Sequence, residues 1–167
     1  MLHFNQPPDV AWDRDGNIYV AGGYGNSRVV KFDKYGNVLL GWGMKGGGHG
    51  QFDLPHTIIV DGERVYVGDR ENARIPVFDR NGKFITQWQL GHPYSLVLVP
   101  DHLLYIADAE AGRILKIDAQ GTVLGSLTGL QPGPGHHFGP HQITLSPDGT
   151  IYAAEVIGWR VEKLQPK

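Results

Sequence analysis

One pattern of residues occurs four times along the 167-residue chain, and this repetition limits the possible folds more than any other feature. A tyrosine of the pattern recurs at intervals of 47, 39 and 47 residues, and an arginine recurs at intervals of 46, 39 and 47 residues. The two columns consist of Tyr19, Tyr66, Tyr105 and Tyr152, and of Arg28, Arg74, Arg113 and Arg160. Because two independent columns keep nearly the same spacing, each repeat is expected to form one unit that packs against its neighbours.

The repeats have the composition of short β-strands. Apolar and polar residues alternate in segments such as NIYVAG, RVVKFD and KFITQW, which is the period of a strand with one buried face. Turn-forming pairs such as Asp15-Gly16, Asn81-Gly82 and Asp148-Gly149 separate these segments. Four short antiparallel strands in about 40 residues are the blade of a β-propeller. A β-sandwich would explain the strands but not the aligned columns.

The predicted fold is therefore all-β, a β-propeller in a single domain of residues 1–167. Its repeats cover about residues 4–43, 50–88, 89–127 and 136–167, and the last of them ends after its third strand. The pattern Asp-Gly-x-Ile-Tyr-Val, followed by Asn-x-Arg and an apolar pair, resembles the NHL repeat, and DRENARIPVFDRNGKFITQW is a close example. Because NHL propellers usually have about six blades, we expect an arc of a six-bladed ring rather than a closed four-bladed ring. The start at Met1 is interpreted as an N-terminal truncation.

Composition excludes several functions. The net charge is −2 and the basic residues are scattered singly, so no nucleic-acid-binding face is expected. The longest apolar runs are too short for a transmembrane helix, and no membrane partner is expected. The chain has no cysteine, which excludes disulfides, thiolate metal sites and cysteine nucleophiles. The first residues, MLHFNQPPDVAWD, lack the basic and apolar regions of a signal peptide.

A third column contains groups that could do chemistry. The residues at the start of each repeat's first strand are Asp9, His56, Tyr94 and His141, and in a propeller this position faces the central channel. Imidazoles from alternate blades of a six-bladed ring would converge on a metal, with a third ligand from the blade before the first repeat and one position open for water or substrate. A Pro-His pair at a strand entrance is alternatively only a turn cap. His92 is out of register and is expected to be structural, whereas His136 and His137 are expected to be exposed.

Longer stretches of the chain resemble one enzyme family. FNQPPDVAWDRDGNIYVAGGYGNSRVVKF, GQFDLPHTIIV, VGDRENARI and FGPHQITLSPDGTIYAAE are similar to successive segments of the peptidyl-α-hydroxyglycine α-amidating lyases. These lyases are six-bladed propellers with a central zinc held by three histidines. The resemblance implies that His56 and His141 are two of the zinc ligands, that Tyr24 is the catalytic tyrosine and that Arg70 is an active-site arginine.

The activity implied by this resemblance is cleavage of a peptidyl-α-hydroxyglycine into a peptide amide and glyoxylate. Zinc would act as a Lewis acid on the substrate oxygens. A phenol is a weak base unless a cation stabilises its phenolate, and Arg70 could serve that purpose or bind the substrate carboxylate. The alternative for these two residues is that Tyr24 only packs on a loop and that Arg70 only pairs with Glu71 or Asp69.

The sequence departs from the lyase pattern at several points. A third Pro-His pair is absent from these residues, as is an upstream active-site arginine, so weak zinc binding and little activity are expected. Gly139 replaces a methionine, and Gln142 replaces an acidic residue that helps to hold a structural calcium, which makes calcium doubtful. Gly25 replaces a cysteine of the family, so the corresponding disulfide is absent and a bacterial-type relative is indicated.

Two functions are therefore open from sequence alone. The first is a lyase-like zinc enzyme acting on a peptide, with an extracellular or periplasmic location implied by the family. The second is a non-catalytic NHL propeller that binds a protein or peptide ligand and uses its histidines structurally. An incomplete ring would also expose sheet faces and favour self-association.

Overall fold

The computed structural model describes residues 3–130 and 139–165, and every regular element in those two ranges is a β-strand. Fifteen strands form three four-stranded sheets and one three-stranded sheet, each with strands in sequence order and antiparallel pairing. This arrangement confirms the predicted all-β, propeller-type fold with four blades. The described ranges contain no helix that could cross a membrane. His136, His137 and the start of the fourth repeat lie outside the described residues.

The first two sheets correspond to the first two repeats. Sheet one consists of β1 (Asp9–Trp12), β2 (Ile18–Gly22), β3 (Arg28–Phe32) and β4 (Val38–Trp42). Sheet two consists of β5 (Pro55–Asp61), β6 (Arg64–Asp69), β7 (Ile75–Asp79) and β8 (Phe84–Trp88).

The other two sheets correspond to the third and fourth repeats. Sheet three consists of β9 (Pro93–Leu98), β10 (Leu104–Asp108), β11 (Arg113–Ile117) and β12 (Val123–Leu127). Sheet four consists of β13 (Gln142–Leu145), β14 (Ile151–Glu155) and β15 (Arg160–Leu164).

The chain divides into two compact units at residues 90 and 91, and each unit contains two blades. In the first unit, apolar residues of β1, β2 and β3 pack against those of β5 and β6. This core includes the fully buried side chains of Tyr19, Val29, Phe52 and Phe78. The second unit has its own core, in which Ala107 and Ile114 of sheet three pack with Ile143 and Ala153 of sheet four. In sheets one and three the outermost strands, β4 and β12, are largely exposed.

Aspartates close several of the hairpin turns. One carboxylate oxygen of Asp33 accepts hydrogen bonds from the backbone N–H groups of Tyr35 and Asn37, and Asp118 does the same for Gln120 and Thr122. The glycine three residues after the aspartate has a positive φ, +88° at Gly36 and +84° at Gly121, which an L-residue rarely adopts. The Asp-x-x-Gly spacing therefore fixes these turns.

The arginine column has a structural explanation in three of the four blades. Each of these arginines pairs with an acidic residue directly opposite it on the neighbouring strand or at its end: Arg74 with Asp69 at 2.8 Å, Arg113 with Asp108 at 2.9 Å and Arg160 with Glu155 at 2.9 Å. The carboxylates are almost completely buried. A buried carboxylate of this kind requires its cation, because an unpaired charge in the interior is strongly unfavourable.

Candidate functional site

Three of the four residues singled out from the sequence lie together in the first unit. The hydroxyl group of Tyr24 is 3.2 Å from Nε2 of His56, and the two rings meet edge to face with centroids 5.8 Å apart. One guanidinium nitrogen of Arg70 donates to the same hydroxyl group at 3.4 Å, and the guanidinium carbon is 5.6 Å from the Tyr24 ring centroid. These residues come from three separate segments, which are the loop after β2, the start of β5 and the loop after β6.

A β-bulge places the imidazole of His56. Pro55 pairs with Asp69 and Thr57 pairs with Gly68, so that His56 is the extra residue on its strand. A bulge of this kind changes the direction of a side chain relative to the regular alternation. Leu54, just before the bulge, has a φ of +63°, which is uncommon for a residue with a side chain. The His56 side chain is buried, with 5% of its surface exposed, and its ring reaches Tyr24 from the strand entrance.

Asp9 holds the segment that follows the bulge. Its Oδ2 accepts a hydrogen bond of 2.8 Å from the Thr57 hydroxyl group and one of 2.9 Å from the backbone N–H of Ile58. These bonds link sheet one to sheet two across 48 and 49 residues of sequence. Asp9 occupies the same column as His56 in the repeat, but its carboxylate supports the strand of the histidine. The sequence column identified the position, whereas the supporting role appears only in the structure.

Glu71 orients the guanidinium group of Arg70. Its carboxylate accepts from Nε of Arg70 at 2.9 Å and lies 2.8 Å from a terminal nitrogen of the same group. The Arg70 side chain is only 13% exposed. The backbone N–H groups of Arg70 and Glu71 donate to the carbonyl groups of Leu54 and Asp53, so this loop is fixed to the segment that precedes His56. Both expected partners of Arg70, the neighbouring acid Glu71 and the hydroxyl of Tyr24, are therefore in contact with it.

The loop of Tyr24 lies close to the backbone of sheet two. A Cβ atom on Gly23 would be 2.7 Å from the carbonyl oxygen of Pro55 and 2.7 Å from the Pro8 ring, a distance that real Cβ atoms do not show. Glycine is therefore required here for the loop to approach the strand of His56. Tyr24 is half exposed, and its ring forms one wall of a groove of about 320 Å³ with Gln6, Pro7 and Pro8.

His141 lies in the second unit. It precedes β13, and its ring meets that of Tyr94 edge to face with centroids 5.2 Å apart. The Tyr94 hydroxyl group donates to Glu110 at 3.4 Å, and His92 lies 3.4 Å from the same carboxylate. Tyr94 and His141 also line a cavity of about 230 Å³ with Gly139, Val156 and Ile157. In each unit, therefore, one tyrosine ring packs against one histidine of the column. Of the four residues singled out from the sequence, Tyr24, His56 and Arg70 are in contact with one another.

The residues fit zinc in the chemistry of their donor atoms. Imidazole nitrogen is a preferred zinc ligand, and Nε2 of His56 is directed toward Tyr24 at the exposed edge of the first unit. Among residues 3–130 and 139–165, no three His, Asp or Glu side chains are grouped closely enough to hold a metal ion. Each unit supplies one imidazole of the column, His56 in the first and His141 in the second.

The Tyr24 cluster has the components of acid–base chemistry. A phenol hydroxyl group can donate or accept a proton, and the guanidinium group of Arg70 donates a hydrogen bond to it. An imidazole at hydrogen-bonding distance can exchange that proton or bind a metal ion. Tyr24 is half exposed, so a molecule in solvent can contact its side chain. The arrangement is therefore suited to accepting a proton from a bound molecule.

Fold and repeat pattern together define an NHL-type β-propeller chain. No protein-family model matches the sequence. The chain is 33% identical over 181 residues to peptidyl-glycine alpha-amidating monooxygenase B of Xenopus laevis, which covers 98% of the chain and 21% of that protein. It is 41% identical over 80 residues to a protein of Caenorhabditis elegans named probable peptidyl-alpha-hydroxyglycine alpha-amidating lyase, covering 46% of the chain and 23% of that protein. The chain is thus similar in sequence to proteins named for peptide amidation, over about a fifth of their length.

A further relative carries the name of the repeat. NHL repeat-containing protein 3 of Homo sapiens is 28% identical over 179 residues, which cover 99% of the chain and 51% of that protein. The chain therefore spans about a fifth of the length of the Xenopus relative and about half that of the human one. The sequence resemblance to both groups is confirmed.

Solved structures agree with the fold. A streptogramin B lyase has a TM-score of 0.69 at 18% identity, with 94% of this chain and 50% of that chain covered. Hydrazine synthase of Kuenenia stuttgartiensis has a TM-score of 0.68 at 21% identity, with 92% and 44% covered. At such low identity these similarities establish the fold alone.

Proposed function

We propose that the chain acts as a lyase on peptidyl-α-hydroxyglycine and releases a peptide amide and glyoxylate. The observation that carries the proposal is the contact of the Tyr24 hydroxyl group with both His56 and Arg70, in a chain similar in sequence to proteins named for peptide amidation. The substrate has a hydroxyl group on the carbon that is bonded to the amide nitrogen. Loss of the hydroxyl proton forms the C=O bond of glyoxylate, breaks the carbon–nitrogen bond and leaves the nitrogen to take up a proton.

Tyr24 is the proposed base. Its oxygen accepts the hydroxyl proton of the substrate, and the guanidinium group of Arg70, which donates to that oxygen, holds it in place for this step. Glu71 keeps the guanidinium group in place through its two contacts. Proton transfer of this type typically accelerates a reaction by about 10²- to 10⁴-fold.

His56 and His141 are the residues proposed to hold zinc. The bound ion would supply Lewis-acid polarisation of the substrate oxygens. Calcium is not part of the proposal, because Gln142 is a neutral residue at the position where the family pattern has an acid. The cavity beside His141 is lined by apolar and aromatic groups, and it therefore favours an uncharged part of a peptide over a charged one.

Glyoxylate release from an α-hydroxyglycine peptide tests the activity. Because little activity is expected of the 167-residue chain, it is assayed at high protein concentration with zinc in excess, and zinc content is measured on the same sample. Replacement of Tyr24 by Phe should lower turnover by about 10²-fold or more, the loss expected for a general base, while bound zinc stays unchanged. Tyr35→Phe is the matched control, because Tyr35 is 79% exposed and lies in the β3–β4 turn. Equal rates for the two variants would contradict the role of Tyr24.

A non-catalytic propeller that binds a protein or peptide is the second candidate. The observation that favours it is the similarity to NHL repeat-containing protein 3 over 99% of the chain. In this case the contacts of Tyr24, His56 and Arg70 would stabilise the loops only. A zinc-loaded sample that releases no glyoxylate above the Tyr24→Phe background would favour this second function.

A further inference from the structure

The first blade lacks the arginine–carboxylate pair that the other three blades contain. In blades two to four the arginine of the repeat lies opposite an acidic residue and pairs with it. In the first blade the residue opposite Arg28 is Gly22, which has no side chain. Arg28 therefore has no acidic residue opposite it, and its guanidinium group needs another partner.

Arg28 instead contacts the segment that precedes β1. One guanidinium nitrogen donates to the backbone carbonyl group of His3 at 2.8 Å, and the guanidinium carbon is 6.0 Å from the Phe4 ring centroid. The Phe4 ring in turn lies against Phe32 with centroids 5.9 Å apart. Nε of Arg28 is buried and has no hydrogen-bond partner within the described part of the chain. The guanidinium group therefore holds residues 3 and 4 through one hydrogen bond and one cation–π contact.

The same segment is joined to the loop that carries Tyr24. The backbone N–H of Asn5 donates to the side-chain oxygen of Asn26 at 2.8 Å, and the backbone N–H of Gly25 donates to the carbonyl oxygen of Asn5 at 3.0 Å. A side chain on Gly25 would collide with Asn5, so glycine is needed for this contact. We define residues 3–8 as the anchor segment.

The anchor segment also shapes the space beside the Tyr24 ring. Gln6, Pro7 and Pro8 form the wall of the groove opposite Tyr24, and the Pro8 ring lies against Gly23. Gln6 has a φ of +53°, an uncommon conformation that surrounding contacts must maintain. Tyr24 is therefore held from both sides, by His56 and Arg70 at its hydroxyl group and by the anchor segment along its loop.

We infer that Arg28 is a positioning residue, released from its own blade by Gly22, that fixes the anchor segment and thereby the loop and groove of Tyr24. The inference rests on the proposed function for its effect on turnover, but the contacts themselves do not depend on that function. If the contacts of Arg28 with His3 and Phe4 are lost, residues 5 and 6 become less well ordered. The hydrogen bond from the Gly25 amide to Asn5 is then broken more often, and the amide hydrogen exchanges faster with solvent. The Tyr24 hydroxyl group would then spend less time beside His56 and Arg70.

The test restores the missing acid. In Gly22→Asp the carboxylate is placed beside Arg28, since a Cβ at position 22 would be 3.5 Å from Cγ of Arg28. Gly22→Ala is the matched control, because it adds the same Cβ, 3.2 Å from the carbonyl oxygen of Arg28, without the charge. Hydrogen exchange of the Gly25 amide is followed by NMR, and glyoxylate release and bound zinc are measured on the same samples.

Gly22→Asp should accelerate exchange of the Gly25 amide by roughly tenfold or more, the scale of losing one hydrogen bond that protects it. Gly22→Ala, whose Cβ would also lie 3.2 Å from Cβ of Asn26, measures the effect of the added atom alone and should change that exchange much less. Turnover should fall in Gly22→Asp with bound zinc unchanged. If Gly22→Asp does not fold, Arg28→Leu, which removes the guanidinium group without adding a charge, must show the same acceleration.

The outcomes separate this inference from the proposed function. Equal Gly25 exchange in Gly22→Asp and Gly22→Ala, or unchanged exchange in Arg28→Leu, would overturn the positioning role whatever the activity. Accelerated exchange together with a wild-type chain that releases no glyoxylate would support the role of Arg28 and contradict the lyase proposal. Accelerated exchange with undiminished turnover would show that the anchor segment does not position Tyr24.

Discussion

Replacement of Asp9 by Ala should destabilise the first unit by an amount that the structure allows us to estimate. Asp9 lies on β1 and its Oδ2 is the acceptor for the Thr57 hydroxyl group and for the Ile58 amide. Both donor residues are buried, with 2% of their surface exposed. Alanine would remove the acceptor of both hydrogen bonds at the contact between the two blades.

The expected loss is about 3 kcal/mol. A hydrogen bond to a charged group contributes about 1.5–3 kcal/mol, and two such bonds are lost. We take the lower limit for each bond, because Asp9 itself is partly exposed and solvent weakens its interactions. The same change should disturb the bulge at His56, since Thr57 is the next residue along the strand.

Tryptophan fluorescence during urea unfolding measures this effect. Three of the four tryptophans, Trp12, Trp42 and Trp88, lie in the first unit. The fourth, Trp159, is already 93% exposed in the folded chain, so that its signal should change little. The fluorescence transition therefore reports mainly on the unit that contains Asp9.

Asp9→Asn is the control for the hydrogen-bonding geometry. Its side-chain oxygen can still accept from Thr57 and Ile58, but its amide group opposes the backbone N–H of Val10, which now donates to Oδ1 of Asp9 at 2.8 Å. We expect a loss of about 1 kcal/mol for this variant, the usual net contribution of one hydrogen bond. A loss below about 1 kcal/mol for Asp9→Ala, or one equal to that of Asp9→Asn, would show that the carboxylate does not link the blades as described.

Two further predictions concern charges. Arg74→Ala should lower the free energy of unfolding by about 3–5 kcal/mol, because the fully buried Asp69 loses its cation. Arg14→Ala, which removes one partner of a mostly exposed pair, should lower it by less than about 1 kcal/mol. Equal losses for the two variants in denaturant titrations would contradict the importance of the buried pair. Hydrogen bonds from Ser146 and Thr150 lower the pKa of Asp148 to about 2 from its ordinary value of 3.8, so its stabilising effect is present above 3.8 and is lost as the pH falls toward 2. The melting temperature should therefore decrease over that range, and less steeply in Asp148→Asn; identical slopes would contradict this assignment.

The sequence predicted the parts of the fold that depend on local pattern. Alternating residues and Asp-x-x-Gly turns lie within a few residues of each other, and the strands and hairpins follow from them. The repeat column identified His56, and the resemblance to the amidating lyases pointed to Tyr24 and Arg70; the structure places these three residues in contact. The column arginines were recognised as a repeat feature, and their partners became visible only with the strand pairing.

The contacts that the sequence did not predict are those between distant segments. Asp9 reaches Thr57 across 48 residues and Asn5 reaches Asn26 across 21 residues, and no local pattern encodes either contact. The exception at Gly22 was visible in the sequence, because the other repeats have Asp or Glu three residues after the column tyrosine. The contact of Arg28 with the anchor segment was not visible in the sequence, because it depends on how that segment folds back along β3.

Zinc binding by four proteins tests most directly the proposal that the column histidines are zinc ligands. Zinc affinity and stoichiometry are measured for the wild type, His56→Ala, His141→Ala and the double variant. Loss of an imidazole ligand weakens a zinc site, so each single replacement should weaken binding by about tenfold or more. Zinc binding by the wild type that each replacement weakens is the result that we predict. Zinc binding that neither replacement changes would contradict the proposal.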